Sequence, residues 1–448
     1  MEQKQNHSER LVVVMTWLMR LVVGGTFIFS GWAKAIDPWG TFYKFGEYMF
    51  ALGWGTPAGV LHVAAHALAA IELMLGVALV TGCYRRGAPV AAFLLMLVMT
   101  PLTLWLAVTD AVPDCGCFGD VLRLSNWATF AKNVALMAGV VYLWFVGRRV
   151  RGLYGPAVQW MAMAFTLLMS LALSLTGHFT QPLVDFRPYH VGTELRGALT
   201  TDGSDMLFVY EREGMQQTFT IDSLPDEEQG WEFVERRPDL ADSTAAPDTS
   251  TPSITALDHG TDVAADMLDD GNGQLLFLFP DLPRMSLAHA FAINELGEYA
   301  TAQGASVYAL ASASDDHIAR WIDVSMATYP VLVDDDSEIK MIARGDPAVV
   351  YINDHKIVWK RTLTSLSSDR IHDESLTLAT LSDDFAPATT LRRIMTAYAI
   401  AMLALLLVNR THVVARYLWR RNTKKARDPE EPRDLDGSPG VDDDSSSD

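Results

Sequence analysis

The chain has 448 residues, half of them hydrophobic, and a formal net charge of −19 at pH 7. This length exceeds that of a single domain of usual size, so at least two folding units are expected. The acidic balance argues against nucleic acid as a partner, and three cysteines are too few for the disulfide framework of a small secreted scaffold.

Apolar runs long enough to cross a bilayer recur along the chain, since the hydrocarbon core needs roughly 20 helical residues. The first run is too long for the apolar core of a signal peptide, and no small-residue cleavage site follows it cleanly. We predict a multi-pass α-helical membrane protein with six spans and an extracytoplasmic α/β domain. The predicted spans are residues 11–31, 60–81, 88–109, 127–146, 157–176 and 391–408.

Basic residues indicate the side of the membrane on which each loop lies, because cytoplasmic loops carry an excess of Lys and Arg. Such residues cluster at 85–86, at 148–151 and at 410–427. The clusters alternate as six crossings require, so we predict a cell (inner) membrane protein with both termini, including residues 1–10, in the cytoplasm. Arg392 and Arg393 oppose this orientation, but more basic residues follow the last span than precede it.

Two charged residues interrupt the apolar spans, where charge is costly. Arg20 lies near the middle of span one and Glu72 near the middle of span two. Counting from opposite ends of antiparallel helices places both near the bilayer midplane, where we expect them to neutralise each other. Such an ion pair would lock two helices together; the alternative makes Glu72 part of a proton or quinone site. His62 and His66 share a helix face at metal-binding spacing, with packing against polar loops as the alternative.

Residues 113–120, PDCGCFGD, hold two of the three cysteines in a short polar loop between two spans. Cys115 and Cys117 are close enough for a disulfide, and Gly116 allows the backbone angles that so tight a ring requires. On the outer, oxidising side such a bond persists, and strain would make it easy to reduce. A redox-active dithiol, a static disulfide and a metal site all remain open. Cys83, a bilayer away, is expected to be a buried small hydrophobe.

The first four spans resemble the DoxX-like and MauE-type family of bacterial membrane proteins over residues 11–147. The matching residues are Phe27-Ile28-Phe29-Ser30-Gly31, Lys34, Asp37, Pro38, Glu72, Gly76, Gly82, Cys115-Gly116-Cys117-Phe118-Gly119, Lys132 and Asn133. The resemblance implies a four-helix bundle linked to redox or disulfide chemistry outside the cytoplasm, sometimes with quinone. MauE-type proteins are associated with the maturation of methylamine dehydrogenase, a disulfide-rich partner.

Beyond the fifth span, residues 177–237 are predicted to be an extracytoplasmic β-rich segment, with a hairpin of strands at 206–210 and 217–221. Residues 238–272 are rich in Asp, Ser, Thr, Ala and Pro, which predicts an acidic flexible linker. Residues 409–448 are basic and then acidic, and we predict a disordered cytoplasmic tail there.

Residues 273–365 alternate between strand and helix in an order that resembles a thioredoxin-like domain. Asp346-Pro347 falls where that fold has a cis-proline before a strand. Thioredoxins carry Cys-x-x-Cys after the first core strand, whereas this chain has Pro280-Asp281-Leu282-Pro283-Arg284 there. The domain therefore cannot exchange thiols, and we expect it to bind a partner, to hold a peptide or to cover the membrane site.

The sequence thus predicts extracytoplasmic thiol–disulfide or quinone-linked electron transfer, with Cys115 and Cys117 as the redox pair and Arg20 and Glu72 as intramembrane polar residues. Quinone is the candidate acceptor, no metal is predicted, and the expected partners are the lipid bilayer and an extracytoplasmic protein with exchangeable thiols. One alternative is a non-enzymatic assembly or binding scaffold with structural cysteines. Another is a small-molecule transporter gated by the Arg20–Glu72 pair.

Overall fold

The computed structural model describes residues 2–55, 57–197, 206–212, 215–219, 232–238, 252–258, 261–268, 272–373 and 375–427. Among these residues, six helices are long and apolar enough to cross a membrane: Glu9–Ile36, Ala58–Thr81, Gly87–Thr109, Asn126–Phe145, Gln159–Phe179 and Pro387–Arg416. The prediction of a protein with several membrane-spanning helices is confirmed. The number that cross and the direction of each crossing stay predictions.

The α-helices of the described residues are α1 (Glu2–Ile36), α2 (Pro38–Ala51), α3 (Ala58–Thr81), α4 (Gly87–Thr109), α5 (Asn126–Phe145), α6 (Gln159–Phe179), α7 (Ala264–Leu268), α8 (Ala290–Ala302), α9 (Asp315–Ser325), α10 (Asp336–Ile342), α11 (Ser368–Ile371) and α12 (Pro387–Arg427). Short 3₁₀ turns add Gly119–Val121 and Gly147–Arg149 at the two ends of the bundle. The first forms part of the loop between α4 and α5, and the second follows α5.

Glycines allow α1 and α3 to cross in close contact. A Cβ on Gly31 would lie 2.4 Å from the Leu73 backbone nitrogen, and one on Gly76 would lie 2.5 Å from the Ile28 nitrogen. Any larger side chain at either position would push the helices apart. The crossing therefore brings polar side chains of α1 against Glu72 of α3.

The strands of the described residues are β1 (Arg196–Gly197), β2 (Met206–Arg212), β3 (Met215–Phe219), β4 (Glu232–Pro238), β5 (Ser253–Ile254), β6 (Leu257–Asp258), β7 (Thr261–Asp262), β8 (Gln274–Phe279), β9 (Ser306–Ala311), β10 (Val331–Val333), β11 (Ala348–Asn353) and β12 (Lys356–Thr362). The predicted hairpin is present as the antiparallel pair β2–β3, and β4 extends it to a three-stranded sheet.

A mixed seven-stranded sheet forms the core of the second folded unit, here called the sheet domain (residues 252–373). Its strand order is β12-β11-β8-β9-β10-β6-β7, with β8, β9 and β10 parallel and β11 antiparallel to β8. All six residues of β8 are buried, since apolar clusters cover both faces of the sheet. The Asp346–Pro347 peptide bond just before β11 is cis.

Two predicted segments differ from the structure. Residues 252–258 and 261–268, assigned to the flexible linker, instead form β5, β6, β7 and α7. Their few large apolar side chains suffice to dock them, because Ile254, Met267 and Leu268 are buried against the sheet. The rest of the predicted linker between 239 and 271 lies outside the described residues.

The predicted disordered tail also begins too early, because α12 continues without a break to Arg427. Residues 409–427 contain neither Gly nor Pro, the two residues most unfavourable inside a helix. Asn409 moreover fastens this part of the helix to the bundle, since its side chain accepts from the Gly155 backbone at 2.9 Å and donates to the Leu153 carbonyl at 3.2 Å. Residues 428–448 lie outside the described residues.

Candidate functional site

Cys115 and Cys117 form a disulfide in the loop of residues 110–125, here called the disulfide loop. Their Cα atoms are 5.4 Å apart, within the range that a disulfide spans. Gly116 between them has φ +62°, and a Cβ there would lie 2.8 Å from Lys44 Cγ. Glycine is therefore required at this position both for its backbone angle and for the close approach of α2.

Side chains of α1 and α2 hold the backbone of the disulfide loop. The Cys117 carbonyl accepts from Ser30 Oγ at 2.6 Å and from Lys34 Nζ at 2.6 Å. The Cys115 carbonyl accepts from the Tyr48 hydroxyl at 2.6 Å. Both cysteines are therefore fixed by their own carbonyls to the membrane bundle, while their sulfurs take no part in these bonds.

Glu72 pairs with Lys34 rather than with Arg20. Lys34 Nζ lies 2.8 Å from Glu72 Oε2, and Ser30 Oγ lies 2.7 Å from the same oxygen, so this carboxylate and the Cys117 carbonyl share the single Ser30 hydrogen. Lys34 is only 4% exposed and Glu72 5%, so each charge needs the other to offset the cost of leaving water. The predicted Arg20–Glu72 pair is wrong, because α1 carries the nearer cation at Lys34.

Arg20 instead holds the opposite end of the bundle. It donates to the carbonyls of Gly147, Val150 and Arg151 at 3.0, 2.9 and 3.1 Å. Fourteen residues of helix separate it from Lys34, which is about 21 Å along the axis. Cys83 lies at this end too, buried and free, so it stands apart from the disulfide as expected.

An apolar cavity of about 390 Å³ lies inside the bundle directly against the disulfide loop. Its wall includes Cys115 and Cys117, and most of the remaining lining is apolar, including Phe27, Phe45, Leu95, Met96 and Leu102. Val98 also lines the cavity and is 65% exposed on α4. The cavity therefore connects the disulfide with the apolar outer surface of the bundle.

Polar side chains gather at the disulfide side of this cavity. Ser30, Lys34 and Glu72 line it from α1 and α3, and Lys132 and Asn133 line it from α5. Asn133 Nδ2 donates to Thr103 Oγ1 at 3.2 Å. Lys132 Nζ lies 4.1 Å from the centroid of the Phe118 ring, in a cation–π contact. The site therefore combines an apolar volume, hydrogen-bond donors and a reducible bond.

His62 and His66 pack among aromatic and polar side chains. The His62 ring stacks on Phe42 with centroids 3.8 Å apart, and His66 Nδ1 hydrogen-bonds the Ser174 hydroxyl. A third histidine, His178, lies 5.0 Å from His62 between ring centroids. Within the described residues, no group of three or more His, Cys, Asp or Glu side chains is arranged to hold a metal ion.

Arg344 of the sheet domain reaches the bundle at the disulfide loop. Its side chain is 6% exposed and pairs with Asp37, 2.9 Å away, and with Asp120 of the loop. Burial alone would lower the pKa of Arg344, but the two carboxylates outweigh it and hold that pKa above its usual value. The Gln181 side chain donates from Nε2 to the Arg344 carbonyl at 2.5 Å, and its Oε1 accepts from the Arg344 backbone N–H at 3.0 Å. We call these bonds the docking contact.

Sequence reasoning found the cysteines, Arg20 and Glu72 but missed the roles of Lys34, Tyr48 and Arg344. For Lys34 a signal exists, because Ser30 and Lys34 are four residues apart and so share a helix face. Arg344 lies over two hundred residues from Asp120 along the chain, and no local pattern indicates its partner.

Comparison with known families covers part of the chain. Residues 12–146 match the family model of methylamine utilisation protein MauE, so the predicted MauE-type resemblance of residues 11–147 is confirmed. Residues 204–242 match a domain of unknown function, DUF8463. No curated protein and no solved structure matches the chain.

Proposed function

We propose that the protein is a membrane thiol–disulfide oxidoreductase that passes electrons from the thiols of an extracytoplasmic protein to a quinone in the bilayer. The observation that carries this proposal is the position of the Cys115–Cys117 disulfide, which lines an apolar cavity between membrane-spanning helices. A purely structural staple has no need of such a cavity. A redox pair that serves a lipid-soluble acceptor needs one beside its sulfurs.

The cavity suits the headgroup of a quinone in size and in chemistry. Its volume of about 390 Å³ lies in the range of small-molecule sites. A quinone has an apolar ring and tail with two carbonyl oxygens, which require hydrogen-bond donors when buried. Lys132 and Asn133 supply such donors on one side. The exposed Val98 marks a route from the bilayer that an isoprenoid tail can occupy.

The reaction transfers two electrons. A substrate thiolate attacks one sulfur, the Cys115–Cys117 bond breaks, and the mixed disulfide resolves to leave an oxidised substrate and two reduced cysteines. Quinone then accepts two electrons and two protons as the cysteines reform their disulfide, and quinol is released. Glu72, bonded to Ser30 and Lys34 within the cavity wall, is suited to pass a proton.

The proposed orientation places the disulfide loop outside the cytoplasm, in an inner membrane. It is supported by the arginines at 85–86 and 148–151, which lie in loops at the end of the bundle opposite the disulfide. An oxidising compartment lets the disulfide persist between turnovers. The sheet domain and residues 177–197 then lie on the same side as the substrate.

We extend the proposal to a thioredoxin-like, cysteine-free sheet domain joined to a DoxX/MauE-like bundle. The order β12-β11-β8-β9, with β8 and β9 parallel and the other two antiparallel to their neighbours, supports it. A fold does not fix a function. Because the domain docks through Arg344 beside the disulfide loop, its proposed role is to present a partner protein to the sulfurs.

The rival candidate is an assembly or binding scaffold in which the disulfide is structural. The hydrogen bonds that hold both cysteine carbonyls favour the scaffold, because a disulfide whose two residues are fixed to the bundle can serve simply to hold the loop in place. The transporter alternative is not carried forward, since the Arg20–Glu72 pair on which it depended does not form.

Alkylation trapping in living cells separates the two candidates. In a Cys83→Ser background, the oxidoreductase predicts that reduced Cys115 and Cys117 accumulate when quinone reoxidation is blocked. A Cys117→Ser variant should also trap a mixed disulfide through Cys115. A disulfide that stays fully oxidised under every condition would overturn the proposal in favour of the scaffold.

A further inference from the structure

The charges that line the cavity do not cancel. Lys34 makes three bonds, to Ser30 at 2.8 Å, to Glu72 at 2.8 Å and to the Cys117 carbonyl at 2.6 Å, which use all three hydrogens of its ammonium group. With Glu72 it forms a neutral unit. Lys44 is likewise paired, with Glu47 at 2.8 Å and with Asp114 at 3.4 Å.

Lys132 is different from these two lysines. Within the described residues, its ammonium group has no salt bridge and no hydrogen bond; it lies over the face of the Phe118 ring at 4.1 Å, and Glu72, already paired with Lys34, acts on it from beyond salt-bridge distance. It lies on the second turn of α5 and lines the cavity. A buried cation without a salt bridge is costly in such a place. An anion that forms beside it would offset this cost.

That anion arises when the disulfide is reduced. Phe118, whose ring contacts the Lys132 ammonium, directly follows Cys117 in the chain and is itself buried. We infer that Lys132 is a positioning residue whose charge stabilises the thiolate of reduced Cys117 on the cavity side of the disulfide loop. This inference rests on the proposed function and deepens it, since it assigns Cys117 to the acceptor and Cys115 to the partner protein.

When a substrate thiolate attacks Cys115, the S–S bond breaks and Cys117 leaves directly as a thiolate. Lys132 stays protonated beside it, so no proton has to move and the new negative charge is balanced within the cavity. An ammonium near a cysteine is an established means of raising its thiolate fraction. The other charged groups around the loop are Lys34, Lys44, Glu47, Glu72, Asp114, Asp120, Arg123 and Arg344. Each of these is paired with an opposite charge, and Asp110, the remaining carboxylate of the loop, accepts from Asn126 Nδ2 at 2.8 Å. Among the described cations around the loop, Lys132 is therefore the one without a salt bridge.

The test measures alkylation of a single thiol in the full-length protein. Cys83→Ala and Cys115→Ala together leave Cys117 alone, and its reaction with iodoacetamide is followed from pH 5 to 10. Adding Lys132→Gln should shift the pH profile upward by about one unit and slow alkylation at pH 7 about tenfold. Lys132→Arg, which keeps the charge, should restore the rate to within about threefold of the parent.

Arg123→Gln is the matched control, because Arg123 is a more exposed cation of the same loop that already pairs with Asp120. Its effect should stay within about twofold, since exposed pairs contribute little. Thermal unfolding in detergent shows whether each variant folds. If Lys132→Gln lowers stability, Lys132→Met and Lys132→Arg are compared at equal folded fraction, where only the charged residue should preserve the profile.

An unchanged pH profile in folded Lys132→Gln would overturn the inference. This outcome is distinct from failure of the proposed function, which is decided by whether the Cys115–Cys117 bond ever opens in cells. If the disulfide opens and closes in cells but the pH profile of Cys117 alkylation does not depend on Lys132, the proposed oxidoreductase function is kept and the role of Lys132 is rejected. In protein with Cys83→Ala and Cys117→Ala, where Cys115 is the one remaining cysteine, the alkylation profile should depend less on Lys132.

Discussion

The two ends of the membrane bundle bury a cation in different ways. Arg20 is 3% exposed and donates only to backbone carbonyls of the segment after α5. Lys34 is buried to the same degree but pairs with the carboxylate of Glu72 and borders a cavity that contains a disulfide. Burial of charge therefore does not by itself indicate a reactive site. The proposed site is distinguished by a carboxylate partner, a cavity and a disulfide together.

The sheet domain docks at the disulfide end, and removal of its docking arginine is expected to cause the largest loss of stability. Arg344→Met leaves the carboxylates of Asp37 and Asp120 without their cation. Breaking a buried pair in this way costs about 3–5 kcal/mol, and here we expect the upper part of that range. Limited proteolysis of the sheet domain and thermal unfolding in detergent measure the loss.

Arg284→Met is the control for Arg344→Met, because the Arg284 side chain is 85% exposed and lies 3.4 Å from Asp281. Substitution there should change stability by less than about 0.5 kcal/mol. Arg20→Met, at the other end, should weaken the bundle while the sheet domain stays attached. Equal protease resistance of the Arg344 and Arg284 variants would show that the docking contact does not hold the domain.

How much of the two ends of the bundle the sequence predicts depends on how far apart along the chain the interacting residues lie. Apolar runs predict the helices because they depend on local composition. The predicted pairing of Glu72 with Arg20 is wrong because the predicted first span ends at residue 31, whereas α1 continues to Ile36 and carries Lys34 inside the bundle. Arg344 could not be predicted, because its partners belong to another part of the chain and only the folded structure brings them together.

The Lys34–Glu72 pair provides the second test. Glu72→Leu should cost about 3 kcal/mol, because Lys34 is then left buried without its carboxylate. The double variant Lys34→Met with Glu72→Leu should recover part of the loss, since both charges are removed. Glu47→Gln serves as the control on a pair with a more exposed carboxylate. Unfolding measurements on the parent, the single variants Lys34→Met and Glu72→Leu, and the double variant give the coupling energy. A coupling near zero would remove the distinction between the two ends.

The close crossing of α1 and α3 predicts a smaller effect. Gly31→Ala places a methyl group where only 2.4 Å separates it from the Leu73 nitrogen, and overpacking of this kind costs about 1–3 kcal/mol. Gly25→Ala on the same helix is the matched control, because nothing lies within 4 Å of its Cβ position. Thermal unfolding should separate the two variants. If they unfold alike, close packing does not set the position of Glu72 against Lys34.

Of the two ends of the described membrane bundle, acid should affect the disulfide end, because Arg20 at the other end bonds backbone carbonyls rather than carboxylates. Asp185, next to the docking contact, is buried, which would raise its pKa, but Arg187 and Lys360 outweigh this and hold the pKa at about 2. An unfolded Asp titrates near 3.9, so this contribution of about 2–3 kcal/mol is present above about pH 4 and is lost as pH falls toward 2. Protease resistance of the sheet domain, measured from pH 6 to 2, should therefore fall in that window for the native protein. The sheet domain of Asp185→Asn should be less resistant to protease at pH 6 and should lack the fall in resistance with acid. The contacts of Arg20 with backbone carbonyls should show no such step. An acid profile in Asp185→Asn identical to that of the native protein would assign the loss to other carboxylates.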